Sequence, residues 1–333
     1  ALNAEIPFIL SGAMQNWDWV EEDMSVPKWD YTSSRFVTQN NVLLSRIMDR
    51  FNHVNVEWFP SGVGSLGQFS PTLAKFSDAL DQLDRPRGYH PTIVDVTHEG
   101  AYIHWGGPVD DWKDLLNAYR LPESSSSNET DFATDEADML PSAWSGQVTW
   151  MEQCLVESED DKIGKALMNA FVGSTRWFAA YIGEAGGGMF NHQDRHRTSA
   201  WQAQVQGRKR WHLCSPEQSH LMYGRGGVDV FDPDYDKAPD FLKASCYDGV
   251  VHPGEMVFYP GQWWHATQTL SSPTVSLSSL VVDQQCWKDV VAAMKAECIP
   301  NPKNENKTNF PAIMCARLEG CYSLLEDLYG SKE

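Results

Sequence analysis

The sequence predicts a mainly β protein with flanking helices, organised around a small barrel. Three observations carry that expectation. From Ser174 onward the chain breaks into short apolar and β-branched runs punctuated by Gly and Pro, the texture of a barrel or sandwich. The segments on either side, 147–172 and the stretch after Val282, carry helical periodicity instead. No period of roughly 20–50 residues repeats itself, which excludes a solenoid.

Taken in order, Glu5 to Ala13 reads as a strand and a turn, followed by Trp17 and Trp19 packing on the body of the fold. Asn55-Val56-Glu57-Trp58-Phe59 alternates like a strand and stops at Pro60-Ser61-Gly62. Ser70-Pro71 predicts a helix start, with Leu73, Phe76, Leu80 and Leu83 on one face. Segments 92–96 and 101–105 read as paired strands, and Asp110-Asp111 caps an amphipathic helix through Tyr119. The Ser-rich, acidic stretch 122–142 lacks apolar anchors and predicts a loop insertion. Strands are expected at 175–182, 189–194, 200–206, 209–214, 249–252, 255–259, 263–270 and 274–282, with a short helix from Ser215-Pro216-Glu217. The division is a single domain: 1–172 as entry strands and helices, 173–283 as the barrel core, 284–333 as a helical close.

With 333 residues and 42% hydrophobic content the chain buries a substantial core. Lys and Arg total 26 against 45 Asp and Glu, a formal charge of −19, which disfavours nucleic acid and anionic membrane as partners and tolerates a basic peptide. No apolar run is long enough to span a bilayer. Two sequons, Asn128-Glu129-Thr130 and Asn306-Lys307-Thr308, fall in polar stretches. Four of the seven Cys (Cys286, Cys298, Cys315, Cys321) crowd the last fifty residues, which suits disulfides clamping a C-terminal helical hairpin in an oxidising compartment. The chain opens on Ala1 rather than Met, consistent with a removed leader. A glycosylated protein of the secretory pathway is the expectation, with a cytoplasmic enzyme as the alternative.

The chemistry sits between Trp177 and Val282. His192 and Asp194 lie two positions apart, so on an extended segment they point to one side. They follow Gly186-Gly187-Gly188, which permits close backbone approach and re-aims the strand. His265 arrives on a distant strand after Trp263-Trp264. Two histidines and one carboxylate, with the remaining positions open, is the donor set of non-haem Fe(II) oxygenases. An oxygenase that uses 2-oxoglutarate also needs a cation for the far carboxylate, and Lys209, after the Gly207-Arg208 turn, stands where one is needed. Alternation turns His212 to the opposite face, His196 reads as a solvated loop residue, and His252 precedes Pro253 in a turn. Trp201, Trp211, Trp263 and Trp264 supply walls for a dry cavity or simply core.

The stretches Gly188-Met189-Phe190-Asn191-His192-Gln193-Asp194, Trp201 through Trp211, His252 through Pro260, and Trp263-Trp264-His265 resemble the JmjC (cupin-like) family, and most of all its small hydroxylases. The resemblance spans roughly 173–283, is loose at 6–13 and stops beyond Val282. It implies a double-stranded β-helix (jelly-roll) core, Fe(II), 2-oxoglutarate and O2. It implies His192, Asp194 and His265 as iron ligands and Lys209 as partner of the 2-oxoglutarate side-chain carboxylate. Gln202 and Ser279, with Trp201 nearby, fall where relatives contact the cosubstrate. Met189 replaces a Thr that several relatives use for the same carboxylate, and Tyr181 is the candidate to supply that hydroxyl. Hydroxylation of a protein or peptide side chain is the first reading of the activity. Demethylation of methylated Lys or Arg and oxidation of a small molecule follow. A barrel that binds metal or peptide without turnover is the rival of a different class, favoured by Met189 and Ser279.

Overall fold

The computed structural model describes residues 5–12, 14, 28–30, 35–37, 54–59, 72–76, 78–79, 100, 102–106, 142–300 and 308–330. Six strands come first: β1 (Phe8–Ser11), β2 (Lys28–Asp30), β3 (Arg35–Val37), β4 (Asn55–Phe59), β5 (Thr72–Lys75) and β6 (Tyr102–Trp105). Helices α1 (Ser142–Leu155) and α2 (Lys162–Thr175) lead into β7 (Phe178–Gly183), β8 (Gly188–His192), β9 (Ser199–Gln206) and β10 (Lys209–Cys214). After two short 3-10 turns come β11 (Tyr247–Val251), β12 (Glu255–Tyr259), β13 (Trp264–Thr269) and β14 (Thr274–Val281), then α3 (Trp287–Glu297) and α4 (Ala312–Tyr329).

The strands form an eight-stranded sheet in the order β1-β12-β9-β14-β7-β6-β4-β5, a four-stranded sheet in the order β11-β10-β13-β8, and the hairpin β2-β3. Every pairing is antiparallel. Side chains alternate across each strand, and in β9 and β14 that alternation separates two environments. Trp201, Ala203 and Val205 join Val275, Leu277 and Val281 in the main core beneath the helices. Gln202, Gln204, Ser276 and Ser278 take the other face, where Ser276 Oγ donates to Gln204 Oε1 at 2.9 Å. The larger sheet therefore presents an apolar back to the helices and a polar face to the smaller sheet.

The core gathers α1, α2, α3 and α4 against that apolar back. Trp150, Phe171 and Trp177 are fully buried and interlock, with ring centroids 5.4–6.2 Å apart. Asp161 caps α2 by accepting from Gly164 N at 2.8 Å, and its carboxylate also pairs with Arg317 of α4. The Arg317 guanidinium holds the Asp161 carboxyl well below the usual carboxylate range. Arg176, in the left-handed region at φ 55°, ends the helix and turns the chain into β7.

Each of the eight predicted strands after Ser174 is present, with ends shifted by at most a few residues. The helix expected from Ser70-Pro71 is not what forms at its start: Thr72–Lys75 is a strand paired with β4, and Leu73 is exposed. The edge of β4 supplies backbone partners there, and apolar periodicity alone did not outweigh them. Phe76 is buried as the helical pattern required, and Leu80 and Leu83 lie outside the described residues. Trp17, Trp19, the strand at 92–96, the helix at 110–119, most of the 122–142 insertion and the asparagine of each sequon lie outside the described residues.

One bridge forms the expected C-terminal clamp, and the other two pair elsewhere. Cys298–Cys315 closes the connection between α3 and α4 as predicted, but Cys321 reaches back to Cys154 of α1, and Cys286 is the buried free thiol. A third bridge, Cys214–Cys246, joins β10 to the segment before β11. Sequence proximity favoured local pairing, whereas α4 packs along α1 and brings residues 154 and 321 together.

Phe171→Ala removes the centre of the aromatic trio and is expected to lower the unfolding free energy by about 3–5 kcal/mol, read from urea denaturation.

Candidate active site

The site is assembled by the pairing of β8 with β13. In that register His265 lies directly opposite His192, and a β-bulge follows before Thr267 meets Met189. Gly188 makes the approach possible, since a Cβ there would stand 1.9 Å from the Thr267 carbonyl oxygen. Asp194 follows β8 and turns back toward both rings. Its Oδ1 is 3.7 Å from His192 Nε2 and 3.7 Å from His265 Nε2, and all three donor atoms lie within 4.8 Å of one another.

The second nitrogen of each ring is already committed. His192 Nδ1 donates to the Phe190 carbonyl at 2.7 Å, and His265 Nδ1 donates to the Trp263 carbonyl at 3.1 Å. That fixes both tautomers and directs both Nε2 lone pairs to one point. Burial, reinforced by the facing His265, holds the His192 imidazole well below its ordinary pKa and therefore neutral. Tyr259 donates its hydroxyl to Asp194 Oδ2 at 3.1 Å, which leaves Oδ1 as the free oxygen. Two imidazoles and one carboxylate converging in this way fit a divalent transition-metal ion. Donors sharing an ion at about 2.0–2.2 Å sit roughly 3–3.6 Å apart, so the two histidine–aspartate separations need close by only a few tenths of an ångström.

Deeper in the barrel lies Lys209, 0% exposed. Its Nζ donates to Gln202 Oε1 at 2.9 Å and to Tyr102 Oη at 3.4 Å, and it sits 5.2 Å from the centroid of Tyr181. Among the described residues no carboxylate pairs with it. Burial pulls its pKa down to about 7. A buried ammonium held by an amide and two phenol rings, with no anion, is a receptor for a carboxylate.

The residues predicted from sequence thus separate into two groups. His192, Asp194, His265, Lys209, Gln202 and Tyr181 face the same interior. Trp201 and Ser279 do not: they are register partners on the opposite face from the Gln202–Ser278 pair. The Ser279 hydroxyl donates to the Leu280 carbonyl at 2.7 Å, and Trp201 belongs to the core under the helices. Of the other tryptophans, Trp211 stacks 6.2 Å from His265 and Trp263 lines the barrel, whereas Trp264 faces outward and bonds Ser219. His212 faces away as alternation required, but His196 is buried rather than solvated, stacked on Phe310 and 3.8 Å from Glu297. Sequence reasoning missed Tyr259, Tyr102 and His104. His104 is buried 4.7 Å from the Tyr181 ring, its pKa pushed to about 3 by burial and by Arg176. Tyr259 shares the inward phase of its strand with Val257, a signal present in the alternation. Nothing local links residues 102 and 209.

The sequence profile of the cupin-like domain family matches residues 1–280. Among curated proteins, the chain is 30% identical over 156 residues to the bovine HSPB1-associated protein 1, covering 39% of this chain and 32% of that protein. It is 35% identical over 103 residues to an arginine-specific demethylase of Arabidopsis thaliana, covering 29% and 22%. It is 33% identical over 125 residues to lysine-specific demethylase 8 of Xenopus tropicalis, covering 35% and 25%. The aligned segments therefore span about a third or less of the length of these relatives.

Lys209→Met removes an uncompensated buried charge and is expected to raise the unfolding free energy at neutral pH by about 1–4 kcal/mol. The sign follows from proton counting. Between a folded pKa of about 7 and an unfolded value of 10.5 the unfolded chain binds more protons, so wild-type stability climbs with pH across that window. Denaturation at pH 7 and pH 10 checks both, since Lys209→Met lacks this climb.

Proposed function

This chain belongs to the cupin-like domain family, and from that premise we propose that it is an Fe(II)- and 2-oxoglutarate-dependent oxygenase that hydroxylates a C–H bond on a protein or peptide side chain. The observation that carries the proposal is the convergence of His192 Nε2, His265 Nε2 and Asp194 Oδ1 in the same interior as a buried lysine that no carboxylate among the described residues pairs with. His192, Asp194 and His265 are the proposed iron ligands. Lys209, steadied by Gln202 and Tyr102, is the proposed partner of the distal 2-oxoglutarate carboxylate, and the Tyr181 ring walls the same pocket. Bound together, Fe(II) and 2-oxoglutarate supply the oxygen activation that converts C–H to C–OH.

The chain's own residues bind, orient and exclude water. The carbonyls of Phe190 and Trp263 hold the imidazoles so that both Nε2 atoms would face a bound ion, and Tyr259 steadies the carboxylate so that one oxygen is presented. Trp211 and Trp263 dry the floor of the site. Met189 removes a hydroxyl, and the Lys209–Gln202–Tyr102 set offers a carboxylate its donors without it. Demethylation of methylated Arg or Lys is the second reading, supported by the names of two relatives; formaldehyde released from a methylated peptide distinguishes it. The disulfides support a secretory-pathway location for the enzyme.

Iron-loaded wild type is expected to convert 2-oxoglutarate to succinate and His192→Ala to lose at least 100-fold of that rate, roughly the scale of a lost catalytic element. No succinate from the loaded wild type rejects the activity. In the free protein Lys209 titrates near 7, so pairing it with a carboxylate takes up a proton above that pH. Affinity for 2-oxoglutarate is therefore expected to fall as pH rises from 7 to 9, measured calorimetrically, and a flat profile contradicts the role given to Lys209.

A further inference from the structure

On the back of the four-stranded sheet, away from the triad, lies a second group of metal-ligating side chains that the proposed reaction does not use. Alternation sets it there. His212 and Cys214 lie opposite Ala266 and Trp264, whereas Leu213 lies opposite His265 and faces the interior. Cys214 is bridged to Cys246, and donor atoms of His212, Cys214 and Cys246 all lie within 4.8 Å of one another. His212 is also the register partner of Asp248 across β10 and β11. Its Nδ1 is 3.2 Å from Asp248 Oδ2 and its Nε2 is 3.2 Å from Cys214 Sγ.

The Asp248 carboxylate accepts, so the His212 proton on that side sits on Nδ1. Nε2 then aims a lone pair at a sulfur that, inside the bridge, has no proton to donate. A buried acceptor facing another acceptor lacks its partner. Around it the rings of Phe231 and Phe241 stand 6.4 and 6.0 Å away, and Leu221, Met222 and Val230 complete an apolar shell.

We propose that this cluster is a redox-gated zinc site, in which reduction of Cys214–Cys246 creates two thiolate ligands that bind Zn(II) together with His212 Nε2, oriented by Asp248. A dithiol supplies the reduction: it gives two electrons and two protons, the Sγ–Sγ bond breaks, two S–H bonds form, and the dithiol leaves as its own disulfide. Zn(II) then displaces both thiol protons to solvent and takes the imidazole lone pair, and water fills the fourth tetrahedral position. Asp248 on Nδ1 is the carboxylate–histidine–zinc arrangement that fixes a ligand's tautomer and raises its basicity. Cys246 lies outside any strand, so the sulfurs separate by movement of that segment while β10 stays paired. Cys214 ends the strand that begins at Lys209 and pairs beside the strand that carries His265. The exchange of bridge for ion therefore takes place at the clamp fastening residues 215–246 to the back of the site.

The test uses the full chain, reduced anaerobically with a phosphine and titrated with Co(II), and it reads cysteine–metal bonds independently of any oxygenase activity. The reduced protein is expected to show a thiolate-to-cobalt charge-transfer band that a histidine–carboxylate triad does not produce. The oxidised protein is expected to lack that band and Cys246→Ser to abolish it. Asp248→Asn is expected to retain the band with affinity weakened about 10–100-fold. Reduced wild type without the band, or Cys246→Ser with the band unchanged, overturns the proposal. If full reduction unfolds the chain, Zn(II) is expected to restore the far-ultraviolet circular dichroism of wild type and not of Cys246→Ser. Equal recovery or equal failure of the two overturns it as well.

Discussion

The pairing of β8 with β13 brings two imidazoles against each other, and the rest of the site depends on it. Ring centroids of His192 and His265 are 4.2 Å apart, and each ring spends its Nδ1 on a carbonyl two residues earlier in its own chain segment. The local backbone, rather than a distant side chain, holds each Nδ1. A shift of one residue in register would turn one imidazole to the outer face and dissolve the convergence. The glycine at 188 and the bulge before Thr267 are the local devices that allow this register in a tightly closed space.

The barrel interior is costly by design. Gln202, Gln204, Ser276, Ser278 and Lys209 occupy positions that an ordinary core fills with aliphatic side chains, and each needs a hydrogen-bond partner to be tolerated. Most find one within the sheet. Lys209 is the exception in charge, because amide and phenol oxygens satisfy its protons without neutralising it. The large apolar layer under the helices, centred on Trp150, Phe171 and Trp177, supplies the stability that this interior subtracts, a division of labour common to functional sites.

Much of this was legible in the sequence because period-2 patterns and Gly-Pro punctuation are local signals. The eight strands after Ser174 and the inward phase of His192, Asp194 and His265 follow from those signals alone. Trp201 and Ser279 were misplaced by one position of alternation: the inward residues of that pair of strands are Gln202 and Ser278. Thr72–Lys75 became a strand because the free edge of β4 outweighed a helical apolar pattern. The Cys154–Cys321 bridge and the Tyr102–Lys209 contact join residues far apart in the chain, and only the packed sheets and helices bring them together. The cupin-like family match covers residues 1–280, more of the chain than the motifs around the triad had indicated.

The most direct measurement is a crystal structure of the protein grown anaerobically with Mn(II) in place of iron and with 2-oxoglutarate. The account predicts one ion within about 2.0–2.2 Å of His192 Nε2, Asp194 Oδ1 and His265 Nε2, with the distal carboxylate against Lys209 Nζ. An ion bound elsewhere, or a triad whose rings swing apart with no ion between them, contradicts it.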